Sequence, residues 1–490
     1  MRARAHFLTR PSQKVAVAVV FVAAMFMSIM DATIVNVALP TIGRDFHAAP
    51  TSVDSVSIFF LVSLAVFIPA SGFLGDRFGG KRVLLAAIVV FTLASALCGI
   101  AQDMTQLVVY RVLQGVGGGM LTPVGMAMLY RAFPPEERVR AASVLTVPTA
   151  FAPALGPVLG GLLVTDLSWR WVFYVNVPIG LAALAFGLAF LAPDAGRVAH
   201  RFDLPGFVLG GAGLGLVMYG FSEGPIAGWA TRGVLGTIAV GAALLVAFTR
   251  VERRSAEPLV DLSLLRDGLL RTGTVVTLLS TAALLGMLYV ITLFYQDGRG
   301  LSAFGAGLST FPEALGVMLG AQLASRVIYP RVGPRRHAFV GGLGMAASIA
   351  ALSGVGAHTS LWVARLVLFM MGLFLAQVFV PVQAAAFATT SPAATGRAST
   401  MFNAMRQLGG AIGVAAFTSV IVAVGATRHV SGHVVANLAS YHAALVVAAL
   451  VALGAALVAL KIRDADAAAT IQPLRGAEIP RERELVALEA

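Results

Sequence analysis

Residues Gly72–Arg82 read GFLGDRFGGKR, a short run of charges and glycines between two long apolar stretches. Those stretches begin near Ser52 and Arg82. Each is about the ~20 residues that a helix needs to cross a hydrocarbon core, and neither alternates as a barrel strand would. The charged run is therefore a loop between two membrane helices. Working outward, similar runs begin near Val15, Thr105, Arg140, Trp171, Leu204 and Gly233, and then near Leu269, Ala303, His337, Leu361, Ala398 and Ser440. The expectation is an all-α integral membrane protein with about fourteen spans. Composition agrees: the 490 residues are 58% hydrophobic and only 12% charged, with mean hydropathy +0.86. A soluble chain is nearer ~25% charged.

The net charge of +12 raises the question of nucleic acid, and its distribution answers it. With a cytoplasmic N-terminus and alternating loops, 27 of the 35 Lys and Arg fall on the cytoplasmic side. Only Arg44, Arg170, Arg232, Arg299 and Arg428 fall outside, and Arg111, Arg365 and Arg406 lie within spans. This is the positive-inside bias, and a miscounted span would scramble it. The charge is topological, with both termini in the cytoplasm, and nucleic acid is not an expected partner. The N-terminal run is too long for a signal-peptide core, carries Asp31 and reads as the first span. The single cysteine, Cys98, excludes an intrachain disulfide framework or thiolate metal site.

A second loop, YPRVGPRRHAF at Tyr329–Phe339, echoes the first. Arg77, Gly79, Lys81 and Arg82 align with Arg331, Gly333, Arg335 and Arg336, while Asp76 meets Pro330. Arg111 in span 4 and Arg365 in span 12 repeat the same eight-span offset. The simplest architecture is a six-helix half (residues 1–200), two inserted helices (201–250), a charged amphipathic connector (251–268) and a second six-helix half (269–463). A polar, mobile cytoplasmic tail (464–490) is expected to follow. Parallel repeats around a midplane cavity are a transporter plan in which the halves rock.

Three further stretches are chemically unusual for apolar spans. Span 4 carries RVLQGVGGG, with Arg111, Gln114 and Gly115; a membrane arginine is costly and marks function unless it snorkels outward. The glycines do not follow a strand, so they form no phosphate loop. Span 5 carries APALGPVLGG, with Pro153, Gly156, Pro157, Gly160 and Gly161, a thin and bendable helix suited to tight packing between the halves. Span 13 carries FNAMRQLGGAIG, with Asn403 and Arg406.

Together with MDATIVNVALP in span 1, WRWVFYVNVPIG opening span 6 and FDLPGF opening span 7, these motifs resemble the major facilitator superfamily. Within it the chain is similar to the fourteen-spanner drug–proton antiporter family, the EmrB/QacA type. The resemblance implies a major facilitator fold. It implies that Asp76 and Arg77 form a cytoplasmic gate latch, and that Gly72 and Gly75 let helices 2 and 11, or their equivalents, approach closely. It gives span 4 a part in proton coupling and makes the span-5 motif that of an exporter. It also implies lipophilic or cationic small-molecule cargo, a proton gradient in place of a cofactor, and the cytoplasmic (inner) membrane. A periplasmic adaptor and outer-membrane channel accompany this type in double-membraned bacteria; nothing in the chain encodes such a partner.

Two acids lie well inside spans, Asp31 and Glu313. Proton coupling needs a group that loads and unloads a proton; burial favours the protonated carboxyl, and a neighbouring arginine opposes it. At ~1.5 Å per residue, Asp31 lies roughly 12 Å and Arg111 roughly 9 Å below the outer surface, so the two share a level. Asp31 is expected to carry the proton and Arg111 to modulate it; the alternative is that Asp31 only holds helices together. Glu313 lies roughly 15 Å into span 10 and stands for cation recognition or a second proton, against a structural ion pair. Arg406 pairs with an acid or closes the cytoplasmic side. Asn36 and Asn403 complete the intramembrane polar set. Met25, Met27, Met30, Phe294, Tyr295, Met401 and Phe402 either line a greasy pocket or serve as packing. No metal site, nucleotide loop or nucleophile elbow is found, so the chain reads as a secondary transporter and not an enzyme. Export of an endogenous metabolite, siderophore or antibiotic is the alternative cargo class, and a transport-inactive subunit the alternative role.

Overall fold

A computed structural model describes residues 11–48, 50–193, 203–255, 258–391, 394–430 and 433–471. The expected boundary at 200/201, the tail beyond 471, and Arg2, Arg4, Arg10, Arg197, Arg201, Arg475, Arg481 and Arg483 lie outside the described residues. So do the side chains of Asp54, Pro157 and Arg428. Fourteen long helices are present among the described residues. They are α1 (Gln13–Asp45), α2 (Pro50–Phe78), α3 (Gly80–Ile100), α4 (Met104–Ala132), α5 (Arg138–Asp166), α6 (Trp171–Phe190), α7 (Leu204–Ala227) and α8 (Arg232–Glu252). The others are α9 (Gly268–Leu293), α10 (Ala303–Leu323), α11 (Pro334–Leu352), α12 (Leu361–Ala386), α13 (Thr395–Val424) and α14 (Leu438–Ala459). A two-stranded hairpin, Thr427–Val430 with His433–Ala436, joins α13 to α14.

By length and hydropathy alone, eleven of the fourteen qualify as spans. Two of the others have visible causes: α10 is diluted by Pro312 and Glu313, and α11 opens with Arg335, Arg336 and His337. In α5 the apolar stretch among the described residues is Phe151–Asp166. Acids near span ends act as N-caps, satisfying backbone donors that lipid cannot. Asp103 accepts from Gln106 N at 2.8 Å, Asp203 from Gly206 N at 2.9 Å, and Asp267 from Leu269 N at 2.8 Å.

The helix pairings recur at an offset of eight. The pairs α1–α5, α2–α4, α3–α4 and α3–α6 reappear as α9–α13, α10–α12, α11–α12 and α11–α14. The two sets of six meet along two seams, α2 against α13 and α5 against α10. The echoed loops share backbone as well as sequence: Gly79 and Gly333 both have positive φ, 90° and 75°, where a side chain would be strained. The α7 helix lies over the α2–α13 seam and touches both helices, with Leu214 and Met218 packed among Ala65, Leu408 and Ala411. On its other side it carries α8.

The segment after α14 differs from the mobile tail expected of it, at least as far as Ile471. Thr470 is buried, its hydroxyl 2.6 Å from that of Tyr329, and Asp464 Oδ1 accepts from Arg335 N at 2.8 Å. Small residues such as Ala467 bury easily here, which a count of charges does not reveal.

Candidate functional site

Asp31 and Arg111, which depth alone placed at one level, are in direct contact. Both are 0% exposed, and Arg111 donates to Asp31 Oδ2 at 2.5 Å. Gln114 and Asn176 each donate to Asp31 Oδ1 at 2.9 Å. Arg111 also donates to Gln114 Oε1 at 2.7 Å and to Val56 O at 3.2 Å, and its guanidinium lies 4.0 Å over the Phe60 ring. Asn176 is held in turn by Ser95, which donates to Phe173 O at 2.9 Å. Four helices and the α2 backbone thus converge on one carboxylate, and Arg111 does not snorkel. Close packing makes this possible: a Cβ at Gly115 would lie 2.6 Å from Phe60 O, so α4 sits against α2 backbone. Asn176 was not singled out from the sequence. The signal available was an amide inside the apolar opening of span 6.

A second group surrounds a central cavity of about 210 Å³ between the two sets of helices. Its wall from α1, α2, α4 and α5 is largely apolar, with Ile29, Leu61, Leu64 and Pro153. The opposing wall carries Thr281, Glu313, Gln383, Asn403 and Arg406. Glu313 Oε1, Arg406 Nε, Asn403 Oδ1, Gln383 Oε1 and Thr281 Oγ1 are buried atoms without a hydrogen-bond partner. Glu313 is 2% exposed, and no ion pair joins it to Arg406 among the described residues. The structural ion pair considered for Glu313 is therefore absent there, and Arg406 faces the cavity instead of an acid. Asp31 does not line the cavity, although its neighbours Ala32 and Thr33 do. Of the two readings for the methionines and aromatics from Met25 to Phe402, the structure favours packing; Met27 and Phe402 are each 0% exposed.

In the gate loop, Asp76 reaches the other set of helices. Asp76 accepts from Arg131 NH2 of α4 at 2.7 Å, while Arg77 lies over the rings of Phe73 and Phe78 at 5.9 and 5.7 Å. A Cβ at Gly396 would lie 2.9 Å from Asp76 Oδ1, so the carboxylate rests against the first turn of α13 in the other set. A helix N-terminus favours negative charge there. Gly72 faces α13, the counterpart of helix 11 once the inserted pair is discounted: its Cβ would meet Thr400 Oγ1 at 2.6 Å. Gly75 has room, with Val124 the nearest atom at 3.9 Å, so close approach does not demand it. Lys81 donates to Leu191 O at the C-terminal end of α6. The same face is crossed by a hydrogen bond from Arg138 to Phe387 O and by Tyr130 stacked on Phe387 at 4.5 Å. On the opposite face a cleft of about 640 Å³ separates Val37 and Thr41 of α1 and Thr165 of α5 from Phe304 of α10. Asp76→Ala and Arg131→Ala should each slow transport by about tenfold, and the double variant no further, since both remove one coupled contact. Additive losses in a liposome assay would refute a shared latch.

Gly156 and Gly160 seat α5 on α1, while α5 also forms the seam with α10 between the sets. A Cβ at Gly156 would lie 2.0 Å from Thr33 Oγ1, and one at Gly160 3.0 Å from Ile34 Cγ1. Gly161 faces α10, with Phe304 no nearer than 3.8 Å. Asn36 stays outside the site, exposed and accepting from Ser57 at 2.9 Å. Arg365, the echo of Arg111, pairs with no acid among the described residues: it donates to Ser309 at 3.4 Å and lies 5.0 Å over Trp362.

Comparison with known proteins agrees with this architecture. The chain is 33% identical to the tetracenomycin C resistance and export protein of Streptomyces glaucescens, over 80% of its own length and 73% of the relative's. It is 33% identical to a multidrug resistance protein B homolog of Mycobacterium tuberculosis strain H37Rv, over 81% and 74% of the two chains. Putative multidrug resistance protein MdtD of Pectobacterium atrosepticum is 35% identical over 71% and 74%. Among solved structures, the human organic anion transporter MFSD10 superposes with TM-score 0.65 at 16% identity, covering 92% of this chain and all of that one. The proton:xylose symporter XylE gives 0.63, also at 16% identity, over 91% and 94%. The profile of the Major Facilitator Superfamily matches residues 21–414. The chain belongs to the major facilitator superfamily of membrane transporters.

Proposed function

We propose that this transporter exports lipophilic or cationic drugs, or related small molecules, across the cytoplasmic membrane in exchange for protons. The observation carrying this reading is the central cavity, largely apolar and holding the unpartnered carboxyl of Glu313, enclosed between two matching sets of helices. The relatives named for drug resistance and export support the cargo class. The basic face, bearing Asp76 and Arg131, is assigned to the cytoplasm by the positive-inside rule. Residues 1–200 and 269–463 form the rocking halves, with 201–250 inserted and 251–268 connecting them. The energy source is the proton gradient, with no cofactor.

In this mechanism Asp31 is the proton-loading carboxylate. A proton on Asp31 cancels the charge that holds Arg111, freeing α4 to shift against α1; deprotonation restores the pair. Because Asp31 lies on α1 between cavity-lining Ser28 and Ala32, cargo and proton communicate through α1 without sharing a ligand. At about 210 Å³ the cavity is smaller than the ~300 Å³ lower bound of drug pockets, so cargo requires the halves to part.

The test is transport by purified protein in liposomes with an imposed proton gradient, using a panel of cationic and amphoteric dyes. Wild type should move dye with the gradient, and Asp31→Asn should reduce gradient-driven movement at least about a hundredfold while leaving counterflow intact. Undiminished gradient-driven transport by Asp31→Asn would remove Asp31 from the coupling step. A second reading, a dedicated antibiotic exporter, draws on the tetracenomycin relative; movement of one cargo alone across the panel would favour it.

A further inference from the structure

The cavity is chemically two-sided in a way that simple cation export does not explain. Among the described residues, all its unpartnered buried polar atoms lie on one wall, from α9, α10, α12 and α13, and the facing wall is uncharged and largely apolar, with only the hydroxyls of Ser28, Thr33 and Thr122. That polar wall holds one acid and one base that do not neutralise each other. Glu313 is 2% exposed with Oε1 unpaired, and Arg406 has Nε unpaired. An arginine facing a membrane cavity without a counter-charge is costly to hold, and it repels a cationic cargo at the place where that cargo would bind. Buried donors and acceptors left unpaired are an energetic debt that a ligand can relieve.

We propose that the site is built for amphoteric molecules, and that Arg406 selects them. The cargo is a flat, partly apolar compound with a basic amine and an anionic or strongly accepting oxygen along one edge. Its amine meets Glu313, its oxygen meets Arg406, and its apolar face lies on Ile29, Leu61 and Leu64. Asn403 Oδ1 and Gln383 Oε1 accept from hydroxyl or amine groups between the two poles. Lone cations bind less well because they face Arg406 unscreened, and lone anions because they face Glu313. This rests on the export reading only in taking the cavity as the cargo site.

The experiment uses the full-length protein in lipid nanodiscs, without any gradient, and three ligands of nearly equal size. These are a zwitterionic fluoroquinolone, its methyl ester (cation only) and its N-acetyl derivative (anion only), titrated by their own fluorescence. Wild type should bind the zwitterion at least about tenfold more tightly than either derivative. Arg406→Gln should remove the preference over the ester and keep that over the N-acetyl form; Glu313→Gln should do the reverse. Arg406→Lys keeps the charge and should keep most of the selectivity, which separates recognition from misfolding. Equal wild-type affinity for zwitterion and ester would overturn the proposal. A uniform loss of all three ligands in monodisperse Arg406→Gln would do so too, as would failure of all three to bind wild type. Charge-resolved binding without gradient-driven movement would defeat the export reading alone. Gradient-driven dye movement without charge selectivity would defeat this inference alone.

Discussion

Arg111→Met should destabilise the protein by about 3–5 kcal/mol, the cost of breaking a buried ion pair from one side. The variant leaves Asp31, with no exposure to solvent, holding a charge that only the amides of Gln114 and Asn176 address. Val56 O loses its side-chain donor, and Phe60 loses the guanidinium 4.0 Å above its ring. The double variant Asp31→Leu with Arg111→Met should recover most of the stability, because apolar replacement of a whole buried pair is often neutral. Transport should stay lost in both. Thermal melts of the two variants and their parents give the coupling directly. If Arg111→Met melted with wild type, the pair would contribute nothing, and its cost would have to be met by water not accounted for in the contacts described.

The second large effect is expected at Gly156, where the same motif supplies its own control. An alanine there puts a methyl 2.0 Å from Thr33 Oγ1 and 3.0 Å from Ile34 N, the backbone of α1. Overpacking of this kind typically costs about 1–3 kcal/mol. It should also displace the helix that carries both Asp31 and the cavity face at Thr33, with transport falling by about tenfold or more. Thr33→Ala removes the nearest atom but leaves the Cβ at 2.8 Å, so it should rescue Gly156→Ala in part. Gly161→Ala meets nothing nearer than 3.8 Å and should stay within about 0.5 kcal/mol of wild type. Equal tolerance of alanine at 156 and 161 would show that α5 can slide off α1 freely.

Much of this architecture was legible because lipid imposes strong local rules. Helix starts expected at Val15, Arg82 and Leu361 lie at Gln13, Gly80 and Leu361, since span length and flanking charge set them. The repeat was visible in two loops because Gly79 and Gly333 answer the same backbone demand. Asp31 and Arg111 could be matched because depth follows from counting residues along a helix. What escaped was the azimuth, the direction each residue faces around its helix. Asn176 and Arg131 were both quoted or counted, yet their partnership with Asp31 and Asp76 depends on which helices touch. For the same reason the choice between pocket wall and packing stayed open for the methionines.

The position of α7 across the α2–α13 seam makes the protein lopsided toward its lipid. One flank of the central cavity is screened by α7 and α8, while among the described residues the α5–α10 flank carries no such covering pair. A greasy molecule dissolved in the bilayer therefore meets a thick wall on one side and a single layer on the other. Because Leu214 and Met218 knit Ala65 to Leu408 and Ala411, parting of the halves must shear that three-way contact or pivot about it. A pivot would leave that contact in place.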